Sequence, residues 1–509
     1  MKFVSAAALR EEESLAIAAQ PGLGLEMMRQ AGNGLAERIV ILLRHIDPLW
    51  PKIRFLAGPG NNGGDAFTAA ICLDAMGFEV DVWLAVPTAK LKGDAAAAYR
   101  DLTAQGICVR EVTEGQWGQI GASVPPPTIL VDALLGTGAT GEPRGNIRLA
   151  VEYLNQMADQ CVVVAADVPT GLDAETGAVA ACCVRADFTV TMELPKVGMA
   201  ASSAREFLGS LWQVPVGLPR GAADSIPDAT PDLQWISTGD VRRSLPRRAR
   251  VSHKGTYGTA LLLGGSAHYP GAIVLAAEGA IRSGAGLVRV ATVESAAAAV
   301  RARVPEVIVD ADLFTNFDLA GYHSILLGPG LGRKPEVRRL VERLLRETTC
   351  PLVLDADAIA VLASTPEVIR HCTAPVVLTP HPGELALLLG TDAATVQQDR
   401  VAAAREAVER TGALVVLKGA GTLVVQTGQP HWINLNGNQG MACGGSGDVL
   451  AGLLAGLLAQ GIAPLDAACA AVWLHGTAGD IAALRNTQFA MKAGDIADAL
   501  PVAFHMVAK

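Results

Sequence analysis

The stretch GNQGMACGGSGDVLAG, residues 437–452, decides how the second half of the chain is read. Glycine and other small residues crowd its first part and an apolar run follows, so a loop of free backbone amides opens onto a helix predicted from about 448 to 459. Such a junction cradles phosphate, because the first amides of a helix have no intrahelical partner and point outward. Asp448 stands at the start of that helix. A carboxylate beside phosphate is electrostatically awkward unless it accepts the proton of a hydroxyl that attacks a phosphoryl group. Capping its own helix is the plainer role for it.

Upstream of this loop, short apolar runs at 260–263, 287–290, 324–327, 352–354, 376–378 and 414–417 alternate with helix-length intervals. That alternation predicts an α/β layered domain. The first half repeats it, with runs at 53–57, 80–86, 128–131, 161–166 and 188–192, and predicts a doubly wound parallel sheet with helices on both faces. Between the halves, LPRGAADSIPDATPDLQWIST at 218–238 carries three prolines. The organisation read from this is an amino-terminal domain over 1–222, a linker over 223–238 and a carboxy-terminal domain over 239–509. The stretch from about 5 to 45 reads as helical, with breaks at Pro21-Gly22 and Gly32-Asn33-Gly34.

A chain of 509 residues exceeds one ordinary core, and 50% hydrophobic with 4% aromatic residues suits compact enzymes rather than disordered chains. The net charge of −9, with no long basic tract, excludes a nucleic-acid footprint. Nine cysteines, an odd number without C-x-x-C spacing, read as reduced thiols. The opening MKFVSAAALREEE meets three acids before any adequate apolar stretch, which argues against a secretory signal. The apolar run 449–459 is followed by Gln460, Pro464 and Asp466 and is too short to span a bilayer. The expectation is a soluble cytoplasmic protein without a nucleic-acid or membrane partner, with a homo-oligomer left open.

In the first half, GPGNNGGDAF at 58–67 follows a strand and opens a helix, so Gly58, Gly60 and Gly63 satisfy G-x-G-x-x-G in its proper context. A plain dehydrogenase reading would add Glu79 or Asp81 as the acid on a ribose. Asn61, Asn62 and Asp65 supply more hydrogen-bonding groups and hard oxygen ligands than a pyrophosphate turn requires. Two further strand ends are polar: VDALLGTGATGEPRG at 131–145 and ADVPTGLDAETG at 166–177. Ligands bind at carboxyl ends of strands in such sheets, so Asp132, Asp167 and Thr170 are expected to meet Asn62 around one cavity. That cavity would offer oxygen ligands for a monovalent cation beside a reactive carboxylate.

Through GNNGGD, DALLGTG and DVPTGLDAETG, residues of about 5–220 resemble the NAD(P)H-hydrate epimerases. The resemblance implies that Asn61, Asn62, Gly63, Gly64 and Asp65, with Gly136, Thr137, Gly138, Ala139, Thr140, Gly141 and Glu142, contact hydrated NADH or NADPH. It also implies that Asp167 is catalytic and that Asn62, Asp132 and Thr170 bind potassium. Thr170 and Ala66 stand where the family more often has Ser and Gly.

The second half carries, in order, HKGTYG from 253, GPGLG from 328, TPHPGE from 379, KGAGT from 418 and GMACGGSGD from 440. From about 252 to 500 it resembles the ribokinase-like small-molecule kinases, and more closely their ADP- or ATP-dependent NAD(P)H-hydrate dehydratase branch. The resemblance implies a ribokinase-like α/β domain in which Ala272, Gly330, His381 and Asp448 contact the hydrated cofactor. Lys418, Gly419, Ala420, Gly421, Thr422 and Gly447 would hold the adenine nucleotide, with Mg²⁺ neutralising its charge. Cys443 and Ser446 replace threonines common in this loop. His253 and His475 lack metal-ligand spacing and read as ordinary surface or core residues.

The whole then reads as a bifunctional repair enzyme: epimerisation of the R and S hydrates, and nucleotide-driven dehydration of the S hydrate, releasing AMP and phosphate if ADP is used. Two alternatives stay open, a small-molecule kinase fused to a dinucleotide-binding domain and a nucleotide-binding regulator without turnover. The kinase would leave a stable phosphorylated product.

Overall fold

The computed structural model describes residues 1–312 and 319–507, and the chain divides into two compact units, Met1–Pro231 and Asp232–Lys509. The first is built on a seven-stranded sheet of β1 (Lys52–Ala57), β2 (Glu79–Leu84), β3 (Cys108–Glu111), β4 (Ile129–Ala133), β5 (Val162–Ala166), β6 (Phe188–Met192) and β7 (Ser210–Val214). Their order is β3-β2-β1-β4-β5-β6-β7 and every pairing is parallel. β4 and β6 are buried along their whole length and are mostly apolar, with Asp132, Thr189 and Thr191 as their buried polar residues. The strand order reverses between β1 and β4, and the crevice beyond their carboxyl ends is where such a sheet binds ligands.

The amino-terminal region corrects one expectation. A helix breaks off at Ala19 as foreseen, but its successor, Leu23–Ile46, runs without interruption through Gly32-Asn33-Gly34. These glycines serve packing rather than a turn. A Cβ on Gly32 would lie 2.5 Å from Thr68 Cβ and 2.7 Å from the Asp65 carbonyl oxygen on the helix Asn61–Ala75, and one on Gly34 would lie 1.9 Å from Val214 Cγ1 on β7. The lack of a side chain lets Leu23–Ile46 lie directly on the helix that begins the first site at Gly32 and on β7 at Gly34.

The second unit holds a ten-stranded sheet: β8 (Leu233–Trp235), β9 (Thr259–Leu263), β10 (Leu287–Ala291), β11 (Ile308–Asp310), β12 (Ser324–Leu327), β13 (Leu352–Leu354), β14 (Val376–Leu378), β15 (Leu414–Leu417), β16 (Thr422–Val425) and β17 (His431–Asn434). Its order is β11-β10-β9-β12-β13-β14-β15-β16-β17-β8. Pairing is parallel from β11 to β15, whereas β16 is antiparallel to both its neighbours. β8 pairs in parallel with β17, so the stretch expected as a linker contributes a strand to this unit. Apolar Trp235 and Ile236, both buried, explain that capture.

Helix Ser446–Ala459 is apolar on every side and almost wholly buried, packed between helix Pro270–Arg282 and strands β9 and β12. Helix Pro464–Ala490 is long and apolar enough to cross a membrane by composition, yet 89% of its most apolar window is buried inside the unit. It is a core helix.

Replacing Gly32 by Ala is expected to destabilise the first unit by about 1–3 kcal/mol, because the added methyl meets backbone that cannot yield. Gly118→Ala, with nothing within 4 Å of the new methyl, is expected to be neutral or slightly stabilising. Thermal unfolding of both variants checks this, and a harmless Gly32→Ala would contradict the packing argument.

Candidate active sites

In the first unit, β4 and β5 deliver the residues that the motifs singled out. Asp132 is fully buried, and its carboxylate accepts the Thr170 amide at 2.7 Å, the Thr170 hydroxyl at 2.8 Å and the Leu134 amide at 3.1 Å. Burial outweighs those bonds and pushes the Asp132 carboxyl up to about 6. Asn62, in the first turn of Asn61–Ala75, donates to the Leu135 carbonyl at 3.0 Å, and the Leu135 amide donates to Thr170 Oγ1 at 3.1 Å. Asn62, Asp132 and Thr170 therefore gather at Leu135. The Asn62 side-chain oxygen is buried without a hydrogen-bond partner, the condition expected of an oxygen waiting for a cation. A cavity of about 10 Å³ opens beside Leu135, Gly136 and Thr170, roughly the room of one water.

Asp167 follows β5 with φ of +64°, a left-handed conformation that a non-glycine residue seldom holds without surrounding support. Support comes from Lys196, whose ammonium is buried and donates to Asp167 Oδ1, to Thr191 Oγ1 at 2.9 Å and to the Met192 carbonyl at 2.9 Å. The Met192 amide donates to the same Asp167 oxygen at 3.2 Å. Gly136 brings the loop after β4 to this spot: a Cβ there would lie 3.6 Å from Asp167 Oδ2 and 3.4 Å from Asn62 Cβ. Asp65 is also buried, and burial followed by the Asp167 charge drives its carboxyl well above the ordinary range.

The rest of the expected binding loop is more varied. Thr137 offers its carbonyl to Arg10, whereas Gly138, Thr140 and Gly141 are exposed. Glu142 turns to accept the Ala181 amide at 2.7 Å and the Cys182 amide at 3.4 Å, so its carboxylate anchors a neighbouring loop. Asp81, the acid a dehydrogenase reading would need, is committed to Arg54 by a bidentate pair at 2.8 and 2.9 Å. Lys196 was not foreseen from the sequence. Nor was Glu13, on helix Ala6–Ala19, which burial pushes up to about 7 while Lys196 pulls it down and Asp167 and Glu193 push it further.

In the second unit the carboxyl ends of β13, β14 and β15 converge on a second buried ammonium. Lys418 donates to Asp355 Oδ1 at 2.7 Å and stands 3.9 Å from Glu384 Oε2, and Thr379 donates to the same Asp355 oxygen at 2.7 Å. Burial opposes the Lys418 charge, but Asp355 and then Glu384 prevail and hold the ammonium above the usual lysine range. Asp448 completes the group from the first turn of helix Ser446–Ala459. Burial, then Asp355, raises its carboxyl to about 7, with Lys418 pulling the other way. Between Asp355 and Asp357 sits Ala356 with φ of +48°, strained as Asp167 is.

Of the residues expected on the hydrated cofactor, Gly330 and Ala272 are adjacent, a Cβ on Gly330 falling 2.9 Å from Ala272 Cβ. His381 caps helix Pro382–Leu389, accepting the Gly383 amide at 3.0 Å, and its Nε2 lies 3.3 Å from Glu384 Oε1. Of those expected on the nucleotide, Lys418 Nζ lies 3.1 Å from where a Cβ of Gly447 would be, so this side chain faces the carboxylates and the helix start. The remainder of that loop, 419–422, is pinned from behind by Arg400, which donates to the Leu417, Lys418 and Gly421 carbonyls at 3.1–3.4 Å. Glu384 closes the TPHPGE motif and Asp355 directly follows β13, yet neither had a role readable from the sequence. Arg400 carries no motif at all.

Known proteins give this geometry a family. A family model described as NAD(P)H-hydrate dehydratase matches residues 260–502, and one described as YjeF-related protein N-terminus matches residues 24–198. A protein of Moorella thermoacetica named bifunctional NAD(P)H-hydrate repair enzyme Nnr is 35% identical, the match covering 98% of this chain and 96% of that protein. One of the same name from Escherichia coli is 37% identical over 87% of this chain and 82% of its own length. The crystal structure of an ADP/ATP-dependent NAD(P)H-hydrate dehydratase from Bacillus subtilis, co-crystallised with ATP and Mg²⁺, is 34% identical with a TM-score of 0.50. That match covers 54% of this chain and 98% of the other.

Replacing Lys196 by Met strands a nearly buried Asp167 without its counter-ion and is expected to cost the first unit about 3–5 kcal/mol. Lys52→Met, which removes a more exposed partner of Glu79, is expected to cost under about 1 kcal/mol. Comparing the two unfolding midpoints decides it, and equal small losses would show that Lys196 does not hold Asp167 in place.

Proposed function

We infer that this chain, which belongs to the bifunctional NAD(P)H-hydrate repair enzymes, epimerises hydrated NADH and NADPH in its first unit and dehydrates the S hydrate in its second. The observation that carries this reading is a carboxylate at the head of each strand-end cluster, Asp167 held by Lys196 and Asp448 poised near neutrality beside Lys418.

In the first site, the hydrate carries a hydroxyl on the carbon next to the ring nitrogen, whose lone pair can expel it. Asp167 protonates the departing oxygen, a planar iminium forms, and water returns to either face while Asp167 takes back a proton. Asn61–Asp65 and Gly136–Glu142 are assigned to the dinucleotide, and of these Gly136, Ala139 and Gly141 line the small cavity. Asn62, Asp132 and Thr170 would hold a potassium ion, a fit supported by the partnerless Asn62 oxygen. When bound, that ion supplies a fixed positive charge next to an anionic substrate.

In the second site, hydroxide is a poor leaving group and phosphate a good one. Asp448 takes the proton of the ring hydroxyl as its oxygen attacks the terminal phosphoryl group of ADP or ATP, while the amides of the 444–448 loop meet the transferring charge. Nitrogen then expels phosphate, the adjacent carbon gives up a proton, and the dihydronicotinamide is restored with AMP as the second product when ADP is used. Lys418, Gly447 and the 419–422 loop are assigned to the nucleotide; Ala272, Gly330 and His381 to the hydrate. Among the described residues no three His, Cys, Asp or Glu side chains form a ready metal cage. Mg²⁺ would be held by phosphate oxygens, with carboxylates of the Asp355–Asp448 cluster as protein partners, and would neutralise the nucleotide's charge. Nine unpaired cysteines support a reducing compartment, the cytoplasm.

The test is the pH dependence of dehydration. A base must be ionised to work, so with Asp448 near 7 the kcat/KM is expected to rise about tenfold per unit up to neutrality and level off above it. Asp448→Ala is expected to abolish turnover while ADP still binds. A flat profile from pH 5.5 to 8, or an active Asp448→Ala enzyme, would overturn the assignment.

A further inference from the structure

The loop and helix start that face the phosphate are held by side chains arriving from helix Pro464–Ala490, none of which takes part in the chemistry proposed for this site. Asp480 accepts the Gly437 amide and the Asn438 side-chain amide, both at 3.1 Å, and Thr477 accepts from Asn436 at 3.0 Å. Nearest the chemistry, His475 Nε2 lies 2.9 Å from the Ser446 carbonyl oxygen. A carbonyl accepts, so Nε2 carries the hydrogen and donates. The same nitrogen therefore cannot accept from Ser446 Oγ, 3.4 Å away.

We propose that His475 is a positioning residue of the dehydratase site: its fixed Nε2–H grips the second lone pair of the Ser446 carbonyl and aims the Gly447 and Asp448 amides and the Asp448 carboxylate. The geometry is specific. Ser446 is the first residue of its helix, and its carbonyl already serves the helix ladder through one lone pair. Lys418 Nζ lies 3.1 Å from where a Cβ of the next residue, Gly447, would be, so the hydrogen bond from His475 fixes the helix start right beside the ammonium. His475 is buried, and burial, with Lys418 acting in the same sense, pushes its imidazole down to about 4. It is a constant donor at working pH, with one hydrogen-bond geometry, rather than a proton carrier.

This inference rests on the dehydratase reading of the site, and the test separates the two. Full-length wild-type protein and the variants His475→Leu, His475→Gln and His475→Asn are assayed with ADP, Mg²⁺ and the S epimer of hydrated NADH, with melting temperatures measured in parallel. Glutamine places an amide N–H where imidazole Nε2 stands; asparagine falls one bond short. His475→Leu is expected to lower kcat roughly 10–100-fold with KM for ADP changed less than about threefold, and His475→Gln to recover most of that loss. The rise of rate toward pH 7 stays in His475→Gln, because it belongs to Asp448. If His475→Leu does not fold, kcat falling in the order wild type, Gln, then Asn supports the same role. Undiminished kcat in His475→Leu, or equal losses in Gln and Asn, overturns the positioning role. A wild-type enzyme that binds ADP yet never dehydrates the hydrate overturns the site reading itself.

Discussion

Each unit depends on one largely buried ammonium that must meet a carboxylate arriving from the end of another strand. Lys196 lies against Asp167, and Lys418 against Asp355 with Glu384 and Asp448 close by. Removing a charge from water is costly enough that neither lysine could sit where it does unless the strand ends were brought into register around it. The charge clusters and the fold are thus one constraint. A slip of the strands that parted Asp355 from Lys418 would leave both charges buried without partners, so the cluster specifies the packing as much as the packing specifies the cluster.

The two units satisfy that constraint in parallel ways. In each, polar side chains gather at the carboxyl ends of parallel strands, and a helix begins there whose first amides have no intrahelical partner. In each, a non-glycine residue at a strand end holds a positive φ, Asp167 in one and Ala356 in the other. Strain of that kind persists where the surroundings over-determine it, and here the surroundings are the charge clusters. The surroundings differ. Asp167 is gripped directly by one ammonium, whereas Asp448 shares a single ammonium with Asp355 and Glu384 and is left near neutrality, which suits a base.

Much of this was legible in the chain. Every short apolar run read as part of the two sheets became a strand, because strands of a parallel sheet covered on both faces are mostly apolar. β3 escaped notice, since only Val109 of its four residues is apolar beyond Cys108 and it lies at an exposed edge. The antiparallel β16 and β17 were unforeseen because pairing direction leaves no mark on hydrophobicity. Gly32 and Gly34 read as a break, for nothing local tells a turn glycine from one that makes room for a neighbouring helix. The loops that carry Asp167 and Asp448 announced themselves by small residues and acids in a fixed order. Their supporting partners, Lys196, Arg400 and His475, did not: each acts through a contact with residues 17 to 29 positions away in the chain, and a single sequence carries no sign of such a partnership.

Whether two sites act in sequence on one damaged cofactor is tested most directly by giving the purified protein an equal mixture of both epimers of hydrated NADH with ADP and Mg²⁺ and following the dihydronicotinamide absorbance. The whole mixture is expected to return to NADH, faster than epimers interconvert unaided, with one AMP and one phosphate per NADH formed. Recovery that stops once a single epimer is spent would contradict the role of the first site, and accumulation of a stable phosphorylated hydrate would contradict that of the second.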